Sequence, residues 1–264
     1  MQMKPIKLII TDLDATLLND QKNISDYTYQ IITKAREHGI KFVPATARAL
    51  RVLRRMNLID RIPHDLLVCL NGAMIYDEHD RIMYHKGLNK ADFDVFVDTL
   101  VTAFADSRIT IEMNEDVYAN HNIWEVDPHE KNYVICDLKN LPDKMIERIV
   151  MDLQKEEDMQ KLKDILPDYM YAHRIEGTLL CRILHKEVSK AHAIEYLCQL
   201  WDIDIEEVVV FGDDENDLEM FRLCPNAVAM ENAIDELKTI ASSVTKSNNE
   251  DGVAYWIENN IELD

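Results

Sequence analysis

Two short apolar runs, near opposite ends of the chain, each lead into a pair of aspartates. Residues 5–11 read PIKLIIT and precede Asp12 and Asp14, and residues 206–214 read EEVVVFGDD and end in Asp213 and Asp214. Runs this short and this rich in Ile and Val predict strands buried on both faces, as in a parallel sheet. Two carboxylates close together repel each other unless a positive group lies between them. The pattern therefore predicts a parallel sheet with a charged site at one edge.

The segments between these runs predict the alternation of strands and helices that builds such a sheet. Ser25 precedes an amphipathic segment with Tyr27, Ile31 and Ala35 on one helical face, and Gly39 stands where a helix commonly ends. This alternation predicts an α/β fold with a Rossmann-like parallel sheet. The predicted strands are 5–11, 40–46, 65–73, 206–214 and 226–230, and the predicted helices are 26–39, 49–58, 189–201, 216–224 and a last one within 244–261.

The middle of the chain follows a different pattern and predicts an inserted α+β cap domain. Its apolar residues at helical spacing predict a first helix that contains Phe93, Phe96, Val97, Leu100 and Phe104. A hairpin is predicted at 108–120, helices at 143–154 and 160–166, and strands at 168–174 and 177–184. We therefore expect a core domain formed by residues 1–85 and 186–264, with the cap domain at 86–185 between its halves.

Composition narrows the choice of partner and compartment. The 264 residues carry 29 basic and 49 acidic side chains, a formal net charge of -20, which disfavours nucleic acid and anionic membranes as partners. The five cysteines include no CxxC pair, and an odd, scattered set is typical of thiols in a reducing cytosol. The N-terminal segment does not read as a signal peptide, and no run reaches the roughly 18 apolar residues of a membrane span. These features predict a cytoplasmic protein.

Polar side chains follow three of the predicted strands, at the edge where open parallel sheets bind their ligands. Asp12 and Asp213 suit Mg²⁺ as carboxylate ligands, because this ion takes oxygen ligands and is commonly held by one or two carboxylates. Asp14 is expected to offer its backbone carbonyl, which leaves its side chain for proton transfer. Thr46 supplies a hydroxyl donor, and Lys190 begins a helix and supplies a cation for phosphate oxygens.

Simpler readings of the same residues stay open at this point. Two acids at a strand end also form solvated turns or helix caps. An EF-hand would need Gly and Glu at its sixth and twelfth positions, but Leu17 and Asn23 stand there and a strand precedes the loop. What favours a functional site is the joint order of the pieces, each on the expected kind of element.

Four segments together resemble the motifs of the haloacid dehalogenase superfamily of aspartyl phosphatases. DLDATLL at 12–18, PATAR at 44–48, VSKAHAI at 188–194 and FGDDENDLEMF at 211–221 are similar to its four motifs. NGA at 71–73, AVAMENA at 227–233 and EDGVA at 250–254 also resemble its Cof-type branch, in which a large α/β cap is inserted after the third strand. The resemblance covers both ends of the chain and is weakest in the cap.

The resemblance implies a magnesium-dependent phosphatase that hydrolyses a small phosphorylated metabolite, a sugar phosphate or a phosphorylated cofactor, through an aspartyl-phosphate. Asp12 would be the nucleophile, and Asp14 would protonate the leaving oxygen and then activate water. Asp217 would orient Lys190 or a metal-bound water, and Asp214 is a candidate additional ligand. A phosphomutase, or a non-catalytic binding protein with the same fold, is the alternative. The implied Mg²⁺ ligands are Asp12, Asp14 and Asp213, and the implied phosphate-binding residues are Leu13, Thr46, Ala47, Lys190 and Asn216.

The chain departs from the family pattern where glycines are expected. Ala15, Ala47, Ala191 and Glu231 stand at these positions, and we expect all four to take ordinary helical or extended conformations, where a side chain costs little. The sequence does not indicate an oligomeric state. Candidate substrate contacts in the cap, each of which also reads as an ordinary surface or core residue, are His121, Trp124, His129 and His173.

Overall fold

The computed structural model describes residues 4–123, 132–175 and 178–263. The chain divides into two compact units, Met1–His85 together with Ser189–Asp264, and Lys86–Val188. We call them the core unit and the cap unit. The cap unit ends at Val188, whereas the sequence placed this boundary after residue 185. Trp124 and His129 lie outside the described residues.

Fourteen strands and eight α-helices are assigned within the described residues. In chain order the strands are β1 (Leu8–Thr11), β2 (Lys41–Pro44), β3 (Leu66–Cys69), β4 (Met74–Asp77), β5 (Ile82–His85), β6 (Ile109–Met113), β7 (Asp116–Ala119), β8 (Tyr133–Ile135), β9 (Arg148–Asp152), β10 (Met170–Arg174), β11 (Leu180–His185), β12 (Val208–Gly212), β13 (Asn226–Ala229) and β14 (Ser243–Val244). The helices are α1 (Asp26–Glu37), α2 (Leu50–Arg55), α3 (Lys90–Ala103), α4 (Asp158–Ile165), α5 (Lys190–Trp201), α6 (Leu218–Leu223), α7 (Asp235–Ile240) and α8 (Gly252–Asn260).

A parallel five-stranded sheet in the order β14-β13-β12-β1-β2 forms the centre of the core unit. This sheet confirms the predicted α/β fold with a Rossmann-like core. Strands β1 and β12 are adjacent, with Leu8 opposite Val208 and Thr11 opposite Phe211. Both strands are buried along their whole length, as their continuous apolar sequences predict. This pairing brings the chain after Thr11 beside the chain after Phe211, although the two segments are about 200 residues apart in sequence.

Strand β3 departs from the predicted arrangement. It is assigned to a separate antiparallel sheet in the order β3-β4-β5. It contacts β2 through a parallel bridge between Ala45 and Val68. The hairpin formed by β4 and β5 is not predicted by the sequence pattern, and it keeps residues 74–85 in the core unit. The chain therefore leaves the core unit after a hairpin.

Serine side chains cap helices α1 and α5. Ser25 caps α1, and its hydroxyl accepts a hydrogen bond from the N–H of Thr28. Ser189 caps α5 in the same way, through the N–H of His192. Serine is among the preferred caps, because its oxygen satisfies one of the N–H groups that a helix start leaves without a partner. The cap at Ser189 places Lys190 in the first turn of α5.

The cap unit contains a six-stranded sheet in the order β10-β11-β9-β6-β7-β8, with α3 and α4 packed against it. The predicted hairpin at 108–120 is observed as β6 and β7, and the strands predicted at 168–174 and 177–184 correspond to β10 and β11, with residue 177 outside the described residues. Buried residues shared by the sheet and the helices form one apolar core, among them Phe93, Phe96, Leu100, Ile109, Ile111, Ile149, Met151 and Ile183.

The helix predicted at 143–154 is wrong, because this segment contains strand β9. Ile146, Ile149 and Leu153 are spaced as on a helical face, but β9 lies between β6 and β11 and pairs with both. Ile149 and Met151 point into the cap core from alternate positions of the strand. Pairing on both sides and burial override a local helical pattern. None of the helices in the described part of the chain is long and apolar enough to cross a membrane.

Candidate active site

Asp12 is the first residue after β1, at the carboxyl edge of the parallel sheet. Its N–H donates to the carbonyl of Phe211 on β12 at 2.9 Å, which continues the sheet ladder by one residue. The following loop turns back on itself, because the N–H of Leu17 donates to the carbonyl of Asp12 and the N–H of Leu18 to that of Leu13. Asp12 is buried, with 5% of its surface exposed. The sheet and the loop together fix where its carboxylate lies.

Lys190 lies at the centre of the acidic residues. Its Nζ donates to Asp12 Oδ1 at 2.5 Å and to Asp217 Oδ1 at 2.6 Å. Lys190 is 1% exposed and Asp217 is fully buried. A cation in the first turn of a helix is opposed by the helix dipole, and a buried ammonium group needs paired charges. The two carboxylates supply that pairing, so Lys190 holds them together.

Asp217 is held by hydrogen bonds to both of its carboxylate oxygens. Oδ1 accepts from Lys190, and Oδ2 accepts from the N–H groups of Asp213 at 2.9 Å and Asp214 at 3.3 Å. Asp217 therefore ties the lysine to the loop after β12. The carboxylate of Asp214 accepts from the N–H of Glu215 and caps the turn at 215–217, so this side chain is used by the loop itself.

Carboxylate oxygens of Asp12, Asp213 and Asp217 lie within 4.8 Å of one another. Thr16 donates to Asp213 Oδ1 at 2.7 Å. Among the hydrogen bonds of the described residues, none is made to Asp12 Oδ2 or Asp213 Oδ2. Three carboxylates around one ammonium group carry an excess of negative charge. The cluster therefore fits a hard divalent cation, with Asp12 and Asp213 offering the oxygens.

Burial, with a smaller contribution from neighbouring carboxylates, shifts two pKa values in this cluster upward. Burial raises the pKa of Asp12 to about 8, and the nearby carboxylates of Asp217 and Asp213 add to the rise against the opposing effect of Lys190. Burial likewise raises the pKa of Asp213 to about 7, although the hydrogen bond from Thr16 opposes it. Burial lowers the pKa of Lys190, but the carboxylates of Asp12 and Asp217 raise it by more, so this residue remains an ammonium.

Asp14 lies two residues further on and has very different neighbours. Arg48 donates to both of its oxygens, from Nε at 2.6 Å and from Nη2 at 2.8 Å, and Lys22 donates at 2.7 Å. Partial burial raises the pKa of Asp14, but the hydrogen bonds from Arg48 and Lys22 outweigh it and hold the pKa below its ordinary value. The side chain of Asp14 thus faces two cations, which leaves only its carbonyl for the predicted metal site.

Four of the five predicted phosphate-binding residues lie on loops that follow neighbouring strands, and the fifth, Lys190, begins α5. Ala45 donates to the carbonyl of Thr11, so Thr46 follows β2 beside Asp12, which follows β1. Thr46 is buried, and its hydroxyl accepts from the N–H of Arg48. Asn216 belongs to the short turn after β12. The remaining predicted residues, Leu13 and Ala47, each lie one position after Asp12 and Thr46 in these loops.

The expectation for the replaced glycines holds at three positions and is wrong at Ala15. Ala191 lies inside α5, and neither Ala47 nor Glu231 has a positive φ. Ala15 has φ of 59°, in the left-handed region. Asn232 donates to the carbonyl of Ala15 at 2.7 Å and helps to hold this conformation. The loop needs a left-handed residue between Asp14 and Thr16, so alanine is strained where glycine would not be.

Sequence reasoning misses several residues that shape the site. Lys22 lies in a loop eight positions after Asp14, and neither its spacing nor its neighbours in sequence indicate the contact. Thr16 belongs to the DLDATLL motif, but the pattern assigns it no role. Arg48 is the last residue of the PATAR segment, and the structure shows it in a salt bridge with Asp14. Asn71 stands out in the sequence only as part of the NGA tripeptide.

A Rossmann-like sheet that presents a buried lysine among aspartates at its carboxyl edge places the chain among the α/β phosphatases. The family model for haloacid dehalogenase-like hydrolases matches residues 9–257, and the chain belongs to this family. The protein is a phosphatase of the haloacid dehalogenase superfamily, in its Cof-type branch, as its motifs predict.

Similar proteins extend over nearly the whole chain. M6_Spy0533 of Streptococcus pyogenes serotype M6 is 31% identical over 268 residues. This alignment covers 96% of this chain and 97% of the length of M6_Spy0533. The 5-amino-6-(5-phospho-D-ribitylamino)uracil phosphatase YitU of Bacillus subtilis is 29% identical over 278 residues, covering 100% of both. The solved structure of BT1666 from Bacteroides thetaiotaomicron superimposes with a TM-score of 0.83 at 24% identity, over 97% of this chain and 95% of that one, and shows the shared fold.

Proposed function

We propose that the protein is a Mg²⁺-dependent phosphatase that hydrolyses a small phosphorylated metabolite through an aspartyl-phosphate intermediate. The observation that carries this proposal is the position of Asp12: it is buried at the sheet edge, with Oδ1 bound by Lys190 and a carboxylate oxygen within 4.8 Å of oxygens of Asp213 and Asp217. A carboxylate fixed in this way keeps one orientation toward a phosphorus atom placed beside it, and such positioning is a main source of rate.

The proposed cycle has two steps, transfer of the phosphoryl group to Asp12 and its hydrolysis. An oxygen of Asp12 bonds to phosphorus while the bond from phosphorus to the substrate oxygen breaks, and Asp14 gives that oxygen a proton. Asp14 then takes a proton from water, whose oxygen attacks the phosphorus and releases inorganic phosphate and a free Asp12. When bound, Mg²⁺ supplies positive charge to the phosphoryl oxygens. Asp12 and Asp213 would hold it with their side chains, and Asp14 with its carbonyl.

Positive and polar groups at the same edge suit the transferring phosphoryl group. Lys190 carries a cation into the buried cluster, and Thr46 brings a hydroxyl from the neighbouring strand end. Asn216, together with the N–H groups of the loops at Leu13 and Ala47, would complete the cradle. Asp217 acts through Lys190, because it binds the same ammonium group as Asp12. Donors that are already oriented stabilise the charge of the transition state without further reorganisation.

The names of the relatives and the charge of the chain support a proposal for the substrate class. The name of YitU specifies a phosphate on a ribityl chain joined to a uracil ring, which is both a sugar-alcohol phosphate and a cofactor-like compound. We expect a substrate of this general kind, a sugar phosphate or a phosphorylated cofactor, and neither nucleic acid nor membrane as a partner. None of the five cysteines, all of them described, forms a disulfide, and we place the enzyme in the cytoplasm.

The test is release of inorganic phosphate from a panel of phosphorylated metabolites and p-nitrophenyl phosphate, with and without Mg²⁺. We expect turnover that needs Mg²⁺ and that falls by at least about 10⁴-fold in Asp12→Asn, as losses of a nucleophile do in other enzymes. Unimpaired turnover in this variant would remove Asp12 from its role. Substrate that is isomerised without release of phosphate would identify a phosphomutase instead.

A matched Asp→Asn control is available at Asp65. Its carboxylate accepts from Arg36 at 2.9 Å, Lys41 at 3.0 Å and the N–H of Phe42 at 3.0 Å. Lys41, Phe42 and Asp65 lie where β2 and β3 begin, at the opposite end of both strands from the site. We expect Asp65→Asn to cost about 1–3 kcal/mol of stability, because it weakens charge-assisted hydrogen bonds, and to keep the turnover of the folded enzyme. We expect Asp12→Asn to show the reverse, with native stability and no turnover.

A further inference from the structure

Three consecutive left-handed residues follow strand β3. Leu70 has φ of 52°, Asn71 of 57° and Gly72 of 102°. We call this segment the 70–72 turn. Leucine is rarely left-handed, and such a conformation costs about 1–3 kcal/mol unless the surrounding structure imposes it. All three residues are buried. Strain of this kind collects at functional sites, so the question is what the 70–72 turn holds in place.

The backbone of the 70–72 turn is bound to the loop that carries Thr46. The N–H of Asn71 donates to the carbonyl of Thr46 at 2.9 Å, and the N–H of Leu70 donates to the carbonyl of Arg48 at 3.0 Å. Thr46 in turn donates from its N–H to Val68, on the strand that leads into the turn. The loop is therefore held on both sides of Ala47, and the hydroxyl of Thr46 cannot move independently of the turn.

The side chain of Asn71 reaches the loop after β12. Its Oδ1 accepts a hydrogen bond from Asn216 Nδ2 at 3.3 Å. Asn71 is 4% exposed, so this contact is made inside the protein. The bond orients the amide of Asn216, which belongs to the turn that also contains Asp217. A single side chain thus links the 70–72 turn to the loop of the fourth motif.

Gly72 packs against the start of α5, the helix that carries Lys190. A Cβ atom at Gly72 would lie 2.2 Å from the carbonyl oxygen of Ser189 and 3.3 Å from the backbone nitrogen of Lys190. No side chain fits in that space, so only glycine allows the turn to approach this helix so closely. The 70–72 turn therefore also sets the distance between the β3 end and the first turn of α5.

We propose that the 70–72 turn positions the phosphate-binding groups of the site and that Asn71 is its principal positioning residue. Thr46, Lys190 and Asn216 come from three separate elements, and the turn contacts all three through a backbone bond, a close packing contact and a side-chain bond. Asn71 itself does not touch the reacting atoms; it acts through Thr46 and Asn216. This inference rests on the proposed function, because it concerns the phosphate of the same reaction.

The decisive variant is Asn71→Gly, which permits the left-handed backbone and removes only the side chain. We expect kcat/KM for p-nitrophenyl phosphate to fall about tenfold to a hundredfold, since small displacements of positioning groups have effects of this size. We also expect inorganic phosphate to inhibit more weakly, with a higher inhibition constant. The matched control is Asn57→Gly, because Asn57 is another left-handed asparagine, with φ of 53°, outside the site; its kinetics should stay unchanged.

A second pair of variants tests the packing contact. Gly72→Ala and Gly39→Ala both place a methyl group on a left-handed backbone, but the Cβ at Gly39 meets nothing within 4 Å. We expect Gly39→Ala to lose stability only, and Gly72→Ala to lose stability and phosphate affinity together. If Gly72→Ala does not fold, Asn71→Gly still decides the matter.

The outcomes separate the inference from the function on which it rests. Wild-type protein that releases no phosphate from any compound overturns the proposed function, and this inference with it. An active wild type whose Asn71→Gly variant keeps both kcat/KM and the inhibition constant for phosphate overturns this inference alone. A variant that is only less stable, with native kinetics at low temperature, shows that the turn serves the fold and not the phosphate, and has the same consequence.

Discussion

Asp12 and Asp14 are separated by one residue, yet their environments have opposite charge. Asp12 shares one ammonium group with Asp217, beside a third carboxylate, and its pKa is raised to about 8. Asp14 faces Arg48 and Lys22, two cations for a single carboxylate, and its pKa is lowered. Burial favours the neutral acid at both positions. The number of cations for each carboxylate, and not burial alone, decides the direction of the shift.

The site thus has two sides of opposite charge. The negative side consists of Asp12, Asp213 and Asp217 around Lys190, and the positive side consists of Arg48 and Lys22 around Asp14. The carboxylates around Lys190 carry more negative charge than this one cation neutralises, which favours a divalent metal ion. The cations around Asp14 exceed its charge, which suits a substrate phosphate. The proposed roles run against these pKa values, because the nucleophile must be ionised and the acid must carry a proton. A metal beside Asp12 and a phosphate that attracts Arg48 would each move the pKa in the required direction. Substitutions on the negative and positive sides should therefore differ in their effects.

The largest effect is expected from Lys190→Met, which removes the cation that the negative side shares. It leaves Asp12 and Asp217 buried without their common partner, and breaking a buried ion pair costs about 3–5 kcal/mol. Urea unfolding at pH 8 measures this loss. The control is Lys22→Met on the positive side, where the lysine side chain is 42% exposed and Asp14 keeps Arg48. Exposed pairs contribute about 0–1 kcal/mol, so equal losses in the two variants would contradict the comparison.

A smaller effect on stability is expected when pH is changed or Mg²⁺ is added. The pKa values of Asp12 and Asp213, about 8 and about 7, lie above the ordinary value of 3.8, so the metal-free folded protein binds more protons than the unfolded chain in this range. Its stability should therefore fall as pH rises from about 4 to about 8. Mg²⁺ displaces these protons, so its affinity should rise up to about tenfold per pH unit for each proton displaced.

Calorimetry at pH 6.5 and 7.5, in buffers with different ionisation enthalpies, counts the protons released when Mg²⁺ binds. Asp14 contributes none, because its lowered pKa keeps it ionised throughout. Mg²⁺ affinity that does not change between these pH values would show that the negative side is already ionised. The distinction between the two aspartates would then be lost.

The amino-acid sequence predicts the part of the fold that depends on local apolar pattern. Strands β1 and β12 are short apolar runs that lead into aspartates, so the sequence predicts both strands. That Asp12 and Asp213 meet depends on the pairing of these two strands, which the structure shows. The segment around β9 does not, because Ile146, Ile149 and Leu153 fit a helix until cross-strand partners are known. The hairpin of β4 and β5 carries no short glycine turn that would indicate it.

The residues of the site also differ in whether the sequence predicts them. Residues that directly follow a predicted strand can be found from the sequence, because their place in the sheet follows from topology. Lys22, Asn71 and the pairing of Arg48 with Asp14 cannot, since they depend on loop conformations that no short pattern specifies. Ala15 is the instructive case: the sequence indicates an unusual residue there, but the expected ordinary conformation proves to be left-handed.

The smallest effect is therefore expected from Ala15→Gly. The left-handed conformation costs alanine about 1–2 kcal/mol, while glycine gives back about 0.4–1 kcal/mol through the greater freedom of the unfolded chain. We expect a gain in unfolding free energy of less than about 1.6 kcal/mol and a change in kcat of less than tenfold, which is about 1.4 kcal/mol. Thermal unfolding and steady-state kinetics on p-nitrophenyl phosphate measure the two.

The control is Ala191→Gly, the same substitution inside α5. There the backbone is helical, so glycine relieves no strain and should lower the unfolding free energy by up to about 1 kcal/mol. The two variants should thus differ in the sign of their effect on stability. If both are destabilised equally, Ala15 is not strained. If kcat of Ala15→Gly instead rises more than tenfold, the methyl group between the negative and positive sides obstructs the chemistry, and the two halves of the site are less independent than their charges suggest.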